Sequence, residues 1–178
     1  MLPKHAIYQY LPQRYHKRAP FEDLEIAYKI HAFKDGRNFA KRWAAKVVCE
    51  TLSLMDMSDY VFVCIPASCQ HTHTRRFKKF SAMVCQKTHA ENGYDYVHII
   101  GKRPKTHISK THELAENPDQ YVQIDAEKLA GRKVVVFDDV TTSCKTADAF
   151  IERIQQAGAN VQMAIFLART KSYKRMNN

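Results

Sequence analysis

The stretch VVVFDDVTTSCKT, residues 134–146, decides how this chain is read. An apolar run suited to a buried strand ends abruptly in Asp138 and Asp139. After Val140 come Thr141, Thr142, Ser143, Cys144, Lys145 and Thr146, each carrying a hydroxyl, a thiol or an ammonium. Ala147, Phe150, Ile151 and Ile154 then recur at helical spacing, and Gly158 closes that helix. Ligands of open α/β sheets sit beyond the carboxyl ends of the strands, and the two acids fall at such an end. A helix start offers unpaired N–H groups and about half a positive charge, a ready anion site. Thr141, Thr142, Ser143 and Thr146 add hydroxyl donors suited to phosphate oxygens. Two carboxylates beside a phosphate would repel it. They are accounted for if they turn towards vicinal hydroxyls, for which ionised carboxylates are good acceptors. Phosphate plus diol describes a ribose 5-phosphate. Two other readings stand beside it: Asp138 and Asp139 bind Mg²⁺ directly, or Asp139 opens a turn and Ser143 caps the helix.

Outward from this stretch, KVVVFDD (133–139), DYVFVCIP (59–66), YDYVHII (94–100) and NVQMAIFLA (160–168) read as short buried strands. Helical spacing is predicted for 22–34, through Leu24, Ala27, Tyr28 and Ile30, and for a second helix from Asn38 to about Leu54. A third follows from Phe77, Phe80, Ser81, Val84 and Cys85, ended by Asn92-Gly93. Strands alternating with helices imply an α/β fold with a mainly parallel twisted sheet flanked by helices. One structural domain is expected: an N-terminal hood and helices over 1–57, a core over 58–170, and a basic tail over 171–178.

The chain has 178 residues, enough to bury roughly 70% of its unfolded surface. No run reaches the roughly 20 apolar residues of a membrane helix, and the N-terminal stretch lacks the apolar core of a signal peptide. Five cysteines without a CxxC pair suggest neither a disulfide framework nor a zinc ribbon, so a reducing cytoplasm is the simplest home. Of the net charge of +10, residues 71–110 supply nine Lys/Arg against Glu91 and Asp95. That concentration suits an anionic partner, either a phosphorylated small molecule or nucleic acid, or else a solvated surface. His71 and His73 lack a third metal ligand at sensible spacing and read as loop histidines.

Residues 134–146 resemble the phosphoribosyl-pyrophosphate (PRPP) signature of the type I phosphoribosyltransferases: a strand, two acids, then a loop reading aliphatic-x-Thr-Thr-Gly-x-Thr. Thr142 and Ser143 stand for the two threonines, Cys144 for the glycine and Thr146 for the last threonine. Glycine would allow a positive φ there. Cys144 is expected to fill the position as a small residue rather than as a catalytic thiol. The wider layout is similar to the ComF-like branch, through IHAFKDGRNFAKRWAAKVV, VFVCIPAS, RRFKKFSAMV and QQAGANVQMAIFLART, over about residues 24–170. Arg76 and Lys78 replace the glycine and asparagine of that branch's Arg-Gly-Phe-Asn segment.

The resemblance implies binding of PRPP with Mg²⁺ and transfer of its phosphoribosyl group to a nitrogen acceptor, releasing pyrophosphate. Asp138 and Asp139 would contact the ribose hydroxyls and the metal, directly or through substrate or water. Thr141, Thr142, Ser143, Cys144, Lys145 and Thr146 would hold the 5-phosphate. Pro66, Ala67 and Ser68, with Arg75 and Arg76, would face the pyrophosphate. The segment 101–112 would be a lid, with Lys102, Arg103, Lys105 and Lys110 as candidates to reach the leaving group. Lys105 and Arg76 join the two acids as expected catalytic residues, and His107 and His112 as candidates for proton transfer. Tyr8, Tyr10, Tyr15 and Phe21 could stack on a base. Rival expectations are a PRPP- or nucleotide-sensing module without turnover, and a nucleic-acid-associated protein using 71–110. A homodimer is a further candidate assembly.

Overall fold

The computed structural model describes residues 2–100 and 121–171. The expected lid residues Lys102, Arg103, Lys105 and Lys110, with His107 and His112, lie outside them, as does nearly all of the tail. Strand β1 (Lys4–Tyr10) leads to helices α1 (Phe21–Lys34) and α2 (Asn38–Leu52). Strand β2 (Tyr60–Cys64) is followed by α3 (Gln70–His73), a π-helical turn (Thr74–Lys78) and α4 (Lys79–Thr88). Then come the short strands β3 (Glu91–Asn92), β4 (Val97–Ile99) and β5 (Val122–Ile124) and the single turn α5 (Ala126–Leu129). Strand β6 (Lys133–Thr141), helix α6 (Lys145–Gln156) and strand β7 (Asn160–Thr170) complete the order.

Among the described residues the main sheet runs β1-β7-β6-β2-β3 with every pair parallel, and β4 pairs with β5 antiparallel apart from it. This is the α/β fold with a parallel sheet that the alternating pattern predicts. The chain steps from β2 towards β3 on one side and from β6 towards β7 on the other. The strand order therefore reverses between β2 and β6, where open sheets form their ligand crevice.

Two expectations differ from the fold. The N-terminal segment, read as part of a hood, supplies the edge strand β1 on β7. Residues 94–100 do not extend the parallel sheet. Glu91 and Asn92 pair with β2, Gly93–Tyr96 form a 3₁₀ turn, and only Val97–Ile99 continue as a strand, on β5. Gly93 explains the early departure. A Cβ there would stand 2.7 Å from a Val63 methyl and 2.8 Å from a Val61 methyl, so the backbone passes directly under β2. Gly93→Ala is expected to lose about 2 kcal/mol through overpacking. The check is urea unfolding, with the midpoint falling and the slope unchanged.

Side chains alternate across a strand, so each face of the sheet carries its own core. On one face Phe62, Val135 and Phe137 pack against Phe33 of α1, Ala44 and Val48 of α2, and Phe80 and Val84 of α4. The Phe80 and Phe137 rings lie 4.6 Å apart, and Phe33 meets Phe80 edge-on at 5.2 Å. On the other face Val61, Val63, Val134 and Val136 meet Ala147, Phe150, Ile151 and Ile154 of α6, the positions its helical spacing predicts. Tyr28, expected in the stripe of α1, is 64% exposed and stacks on Phe39, while Phe33 takes the core position. This parity decides the site, because Asp138 continues the series 134–136 and Asp139 the series 135–137.

Candidate anion cradle and its acid pair

Beyond β6 the chain turns through Thr141–Cys144 into α6, enclosing a hollow of about 220 Å³ lined by Asp138, Val140 and residues 141–147. Cys144 makes the turn with φ 61° and ψ −2°, the left-handed conformation that the glycine of the resembled signature would supply. The Thr141 hydroxyl holds it there. Its oxygen accepts from the Cys144 N–H at 3.1 Å and lies 3.4 Å from Sγ. No side chain caps the first N–H groups of α6, which are left to face the hollow. Arg169 of β7 reaches Cys144 Sγ at 3.7 Å, and Thr170 meets Thr142, hydroxyl to hydroxyl, at 2.9 Å. Sequence reasoning missed both residues as site members. Their signal was register, since Thr141 pairs with Arg169 across the parallel ladder. Asp148, an acid in the first turn of α6, is engaged by Lys4.

Left-handed backbone is tolerable for cysteine but a genuine outlier for a β-branched residue. Cys144→Val is expected to cost about 2 kcal/mol of strain, whereas Cys144→Gly stays within about 0.5 kcal/mol of the wild type. Thermal unfolding of the two variants side by side checks this.

The two acids do not share the cradle. Asp138 is half-buried on its rim, accepting the Asp139 N–H at 2.8 Å. Its carboxyl is pushed up to about 8, first by burial and then by the charge of Asp139. Asp139, 5% exposed, points to the opposite face. There Arg76 Nη1 donates to it at 2.9 Å and the Lys34 ammonium stands 3.7 Å away. Arg76 also donates through Nε to the Lys34 carbonyl at 3.1 Å, tying the end of α1 to the π-helical turn. Arg76 is therefore engaged by an acid rather than presented to a ligand. Beside this knot Tyr10 and His31 are 3.1 Å apart. Burial, and next Asp139, raises the Tyr10 pKa; burial, and next Lys34, lowers that of His31.

Across the crevice, Pro66–Ser68 follow β2. The Ala67 N–H is directed at His73 Nδ1, 3.4 Å away. His73 is 1% exposed, stacked on Tyr94 and edge-on to Phe77, and burial pulls its pKa down to about 4. It is thus a neutral ring accepting at Nδ1, and its Nε2 has no partner among the described residues. Pro66 has no N–H, so of this loop only Ser68 is left with an amide for a ligand. Among the described residues no group of three potential metal ligands occurs.

The remaining candidates separate. Lys145 begins α6 and is exposed; Arg75 is exposed and donates to the Lys34 carbonyl at 3.3 Å. Tyr8 is stacked on Trp43, Arg14 sits over Tyr15, and Phe21 is 78% exposed. Of the aromatics in 71–100, Phe77, Phe80 and Tyr94 are buried, leaving Tyr96 as the partly exposed ring of that basic segment. No helix among the described residues is long and apolar enough to cross a membrane.

No protein-family model matches the chain. A stretch of 70 residues is 39% identical to the adenine phosphoribosyltransferase of Streptomyces coelicolor, covering 39% of this chain and 38% of that protein. The match thus spans well under half the length of that curated relative. Among solved structures, an adenine phosphoribosyltransferase from Thermoanaerobacter pseudethanolicus superposes with a TM-score of 0.47 at 19% identity, over 75% of this chain and 70% of that one. An orotate phosphoribosyltransferase from Aeropyrum pernix gives 0.46 at 19% identity, over 75% and 62%. The fold is thus that of an α/β protein with a parallel sheet, and a hollow lined by hydroxyl-bearing residues stands at the carboxyl end of β6.

Proposed function

We propose that this chain is a phosphoribosyltransferase that binds PRPP with its 5-phosphate in the β6–α6 loop and transfers the phosphoribosyl group to a nitrogen acceptor. The observation that carries this reading is the left-handed turn at Cys144, which aims the uncapped start of α6 into a hollow rimmed by Asp138. The 70-residue likeness to an adenine phosphoribosyltransferase supports it, and makes a purine base the first acceptor to try.

In the reaction the bond from C1 to the pyrophosphate oxygen breaks as the bond from C1 to the acceptor nitrogen forms, through an oxocarbenium-like state. The proton of that nitrogen leaves to solvent or to the departing pyrophosphate. The chain's part is positioning and charge. The hydroxyls of Thr142, Ser143 and Thr146, with the first amides of α6, hold the phosphate. Asp138 accepts from the ribose hydroxyls, which fixes the sugar ring relative to the sheet. The Ser68 amide lies on the side of the crevice where pyrophosphate would depart. Mg²⁺ fits this donor set as an ion held mostly by the substrate, with Asp138 as its one carboxylate on the cradle side. It would neutralise charge on the leaving pyrophosphate.

The Arg76–Asp139–Lys34 knot favours a second reading, a PRPP sensor without turnover, because it withdraws one carboxylate and one guanidinium from the ligand. Pyrophosphate release separates the two. With PRPP, Mg²⁺ and adenine, hypoxanthine, guanine or orotate, a transferase gives base-dependent release that Asp138→Ala abolishes. A sensor binds PRPP and releases nothing with any base. Release that Asp138→Ala leaves intact would place the chemistry elsewhere.

A further inference from the structure

The loop across the crevice from the cradle rests on a buried histidine. Strand β2 stays tied to β6 as far as Ile65, whose N–H donates to the Phe137 carbonyl at 2.8 Å. Pro66, Ala67 and Ser68 then leave the sheet before α3 begins at Gln70. In such a turn an amide ordinarily finds a carbonyl or water. The Ala67 N–H is instead directed at the imidazole of His73, with Nδ1 3.4 Å away. His73, read from sequence as a loop histidine, is 1% exposed, whereas His71 is exposed.

Neighbouring groups fix the plane of that ring. It stacks on Tyr94 at 5.1 Å and 12°, and Phe77 meets it edge-on at 5.2 Å. Tyr94 is itself held, its hydroxyl 2.9 Å from that of Thr74. The Gln70 side chain accepts the Ile99 N–H at 3.3 Å, which pins α3 to β4. With the plane set, Nδ1 meets Ala67, and Nε2 is left as a buried donor without a partner among the described residues. An unpaired buried donor is costly, and a phenylalanine would fill the same space without one. Packing therefore does not call for histidine here; the acceptor at Nδ1 does. A π-helical turn begins directly after it, at Thr74, and such turns concentrate at functional sites.

We infer that His73 is a positioning residue: its Nδ1 holds the Ala67 amide and so sets loop 66–68 with the Ser68 amide free for an oxygen of the leaving pyrophosphate. Ser68 is exposed, and Pro66 brings no N–H to compete with it. A donor fixed in advance needs no rearrangement as charge develops on the leaving group. His73, being buried, acts only through the loop that it holds. The inference deepens the transferase reading and rests on it for the identity of the anion.

The test is NMR titration of the full chain with pyrophosphate and Mg²⁺, following the Ser68 amide in the wild type, His73→Phe, His73→Asn and His73→Gln. Thermal unfolding of each variant is measured beside it. Phenylalanine keeps a ring on Tyr94 and removes both nitrogens. Asparagine places an oxygen where Nδ1 stood, whereas the glutamine amide reaches the place of Nε2. His73→Phe and His73→Gln are expected to weaken pyrophosphate about tenfold, as the loss of one bond to a charged oxygen implies. His73→Asn should stay near the wild type. Stability should follow a different order, with His73→Phe, which keeps the ring stack, above His73→Asn, which loses it. A histidine that served packing alone would make affinity follow stability. Should His73→Phe not fold, the comparison of asparagine with glutamine still decides. The inference is overturned if Ser68 does not respond to pyrophosphate in the wild type, if His73→Phe binds as tightly as the wild type, or if His73→Asn binds no better than His73→Gln. The Ser143 amide, titrated separately with inorganic phosphate, should respond alike in all four proteins. Its silence in the wild type would mark failure of the cradle, distinct from failure of the histidine.

Discussion

Arg76→Met is expected to lower the unfolding free energy by about 3 kcal/mol, because it leaves a buried carboxylate short of its principal partner. Asp139 has a side chain 7% exposed, and its close donor is the Arg76 guanidinium at 2.9 Å. Lys34, at 3.7 Å and itself 32% exposed, would remain as weaker compensation. The same substitution removes the Nε bond to the Lys34 carbonyl, so the end of α1 loses a tie to the π-helical turn. Urea unfolding of the single variant and of Arg76→Met/Asp139→Asn measures the effect. Neutralising the stranded acid should recover at least half of the loss. A single-variant loss below about 1 kcal/mol, the value of an exposed ion pair, would mean that Asp139 is well solvated without arginine.

Asp138 should make the unliganded protein less stable as pH rises. Its folded pKa is raised to about 8, by burial first and the Asp139 charge second, while the unfolded chain titrates near the ordinary aspartate value. Between these values the folded state holds a proton that the unfolded state has lost. The stability contributed by the neutral carboxyl is therefore fully present below about pH 4 and is lost as pH climbs through about 8. One pKa unit corresponds to about 1.4 kcal/mol; a half-buried group warrants a discount, so the expected decline is about 3 kcal/mol. Asp138→Asn should flatten that part of the profile and be the more stable protein at pH 9. The same proton enters binding. A ribose diol that donates to Asp138 favours the ionised form, so PRPP affinity should rise between pH 6 and 8 by up to about tenfold per unit. Calorimetry in two buffers of different ionisation enthalpy would detect the released proton.

Much of the fold was legible because it rests on period. The runs at 60–64, 133–141 and 160–170 are strands, and the positions spaced for a helix after Cys144 all reach the core. Strand β1 was not, because an edge strand is half-buried on both faces and KHAIYQY alternates weakly. The turn at 91–96 was misread because Gly93 acts through a contact with β2 that local pattern does not encode. In the site, the cradle loop and its helix were readable from residue types. The separation of the acids was readable in principle, since adjacent residues of a strand face opposite ways. What sequence could not supply was the knot that receives Asp139. Lys34, Arg76 and Asp139 come together only through packing of α1 and the π-helical turn on the sheet.

The central claim is that the loop from Thr141 to Thr146 holds a 5-phosphate while Asp138 holds the ribose. Calorimetric titration of PRPP, with and without Mg²⁺, into the wild type and into Asp138→Asn and Ser143→Ala/Thr146→Val tests it most directly. The account predicts Mg²⁺-dependent binding in the wild type, weakened about 100-fold in the hydroxyl double variant, as the loss of two bonds to a charged group implies. Asp138→Asn should also weaken binding and abolish its pH dependence. No binding in the wild type, or equal affinity in all three proteins, would contradict the account.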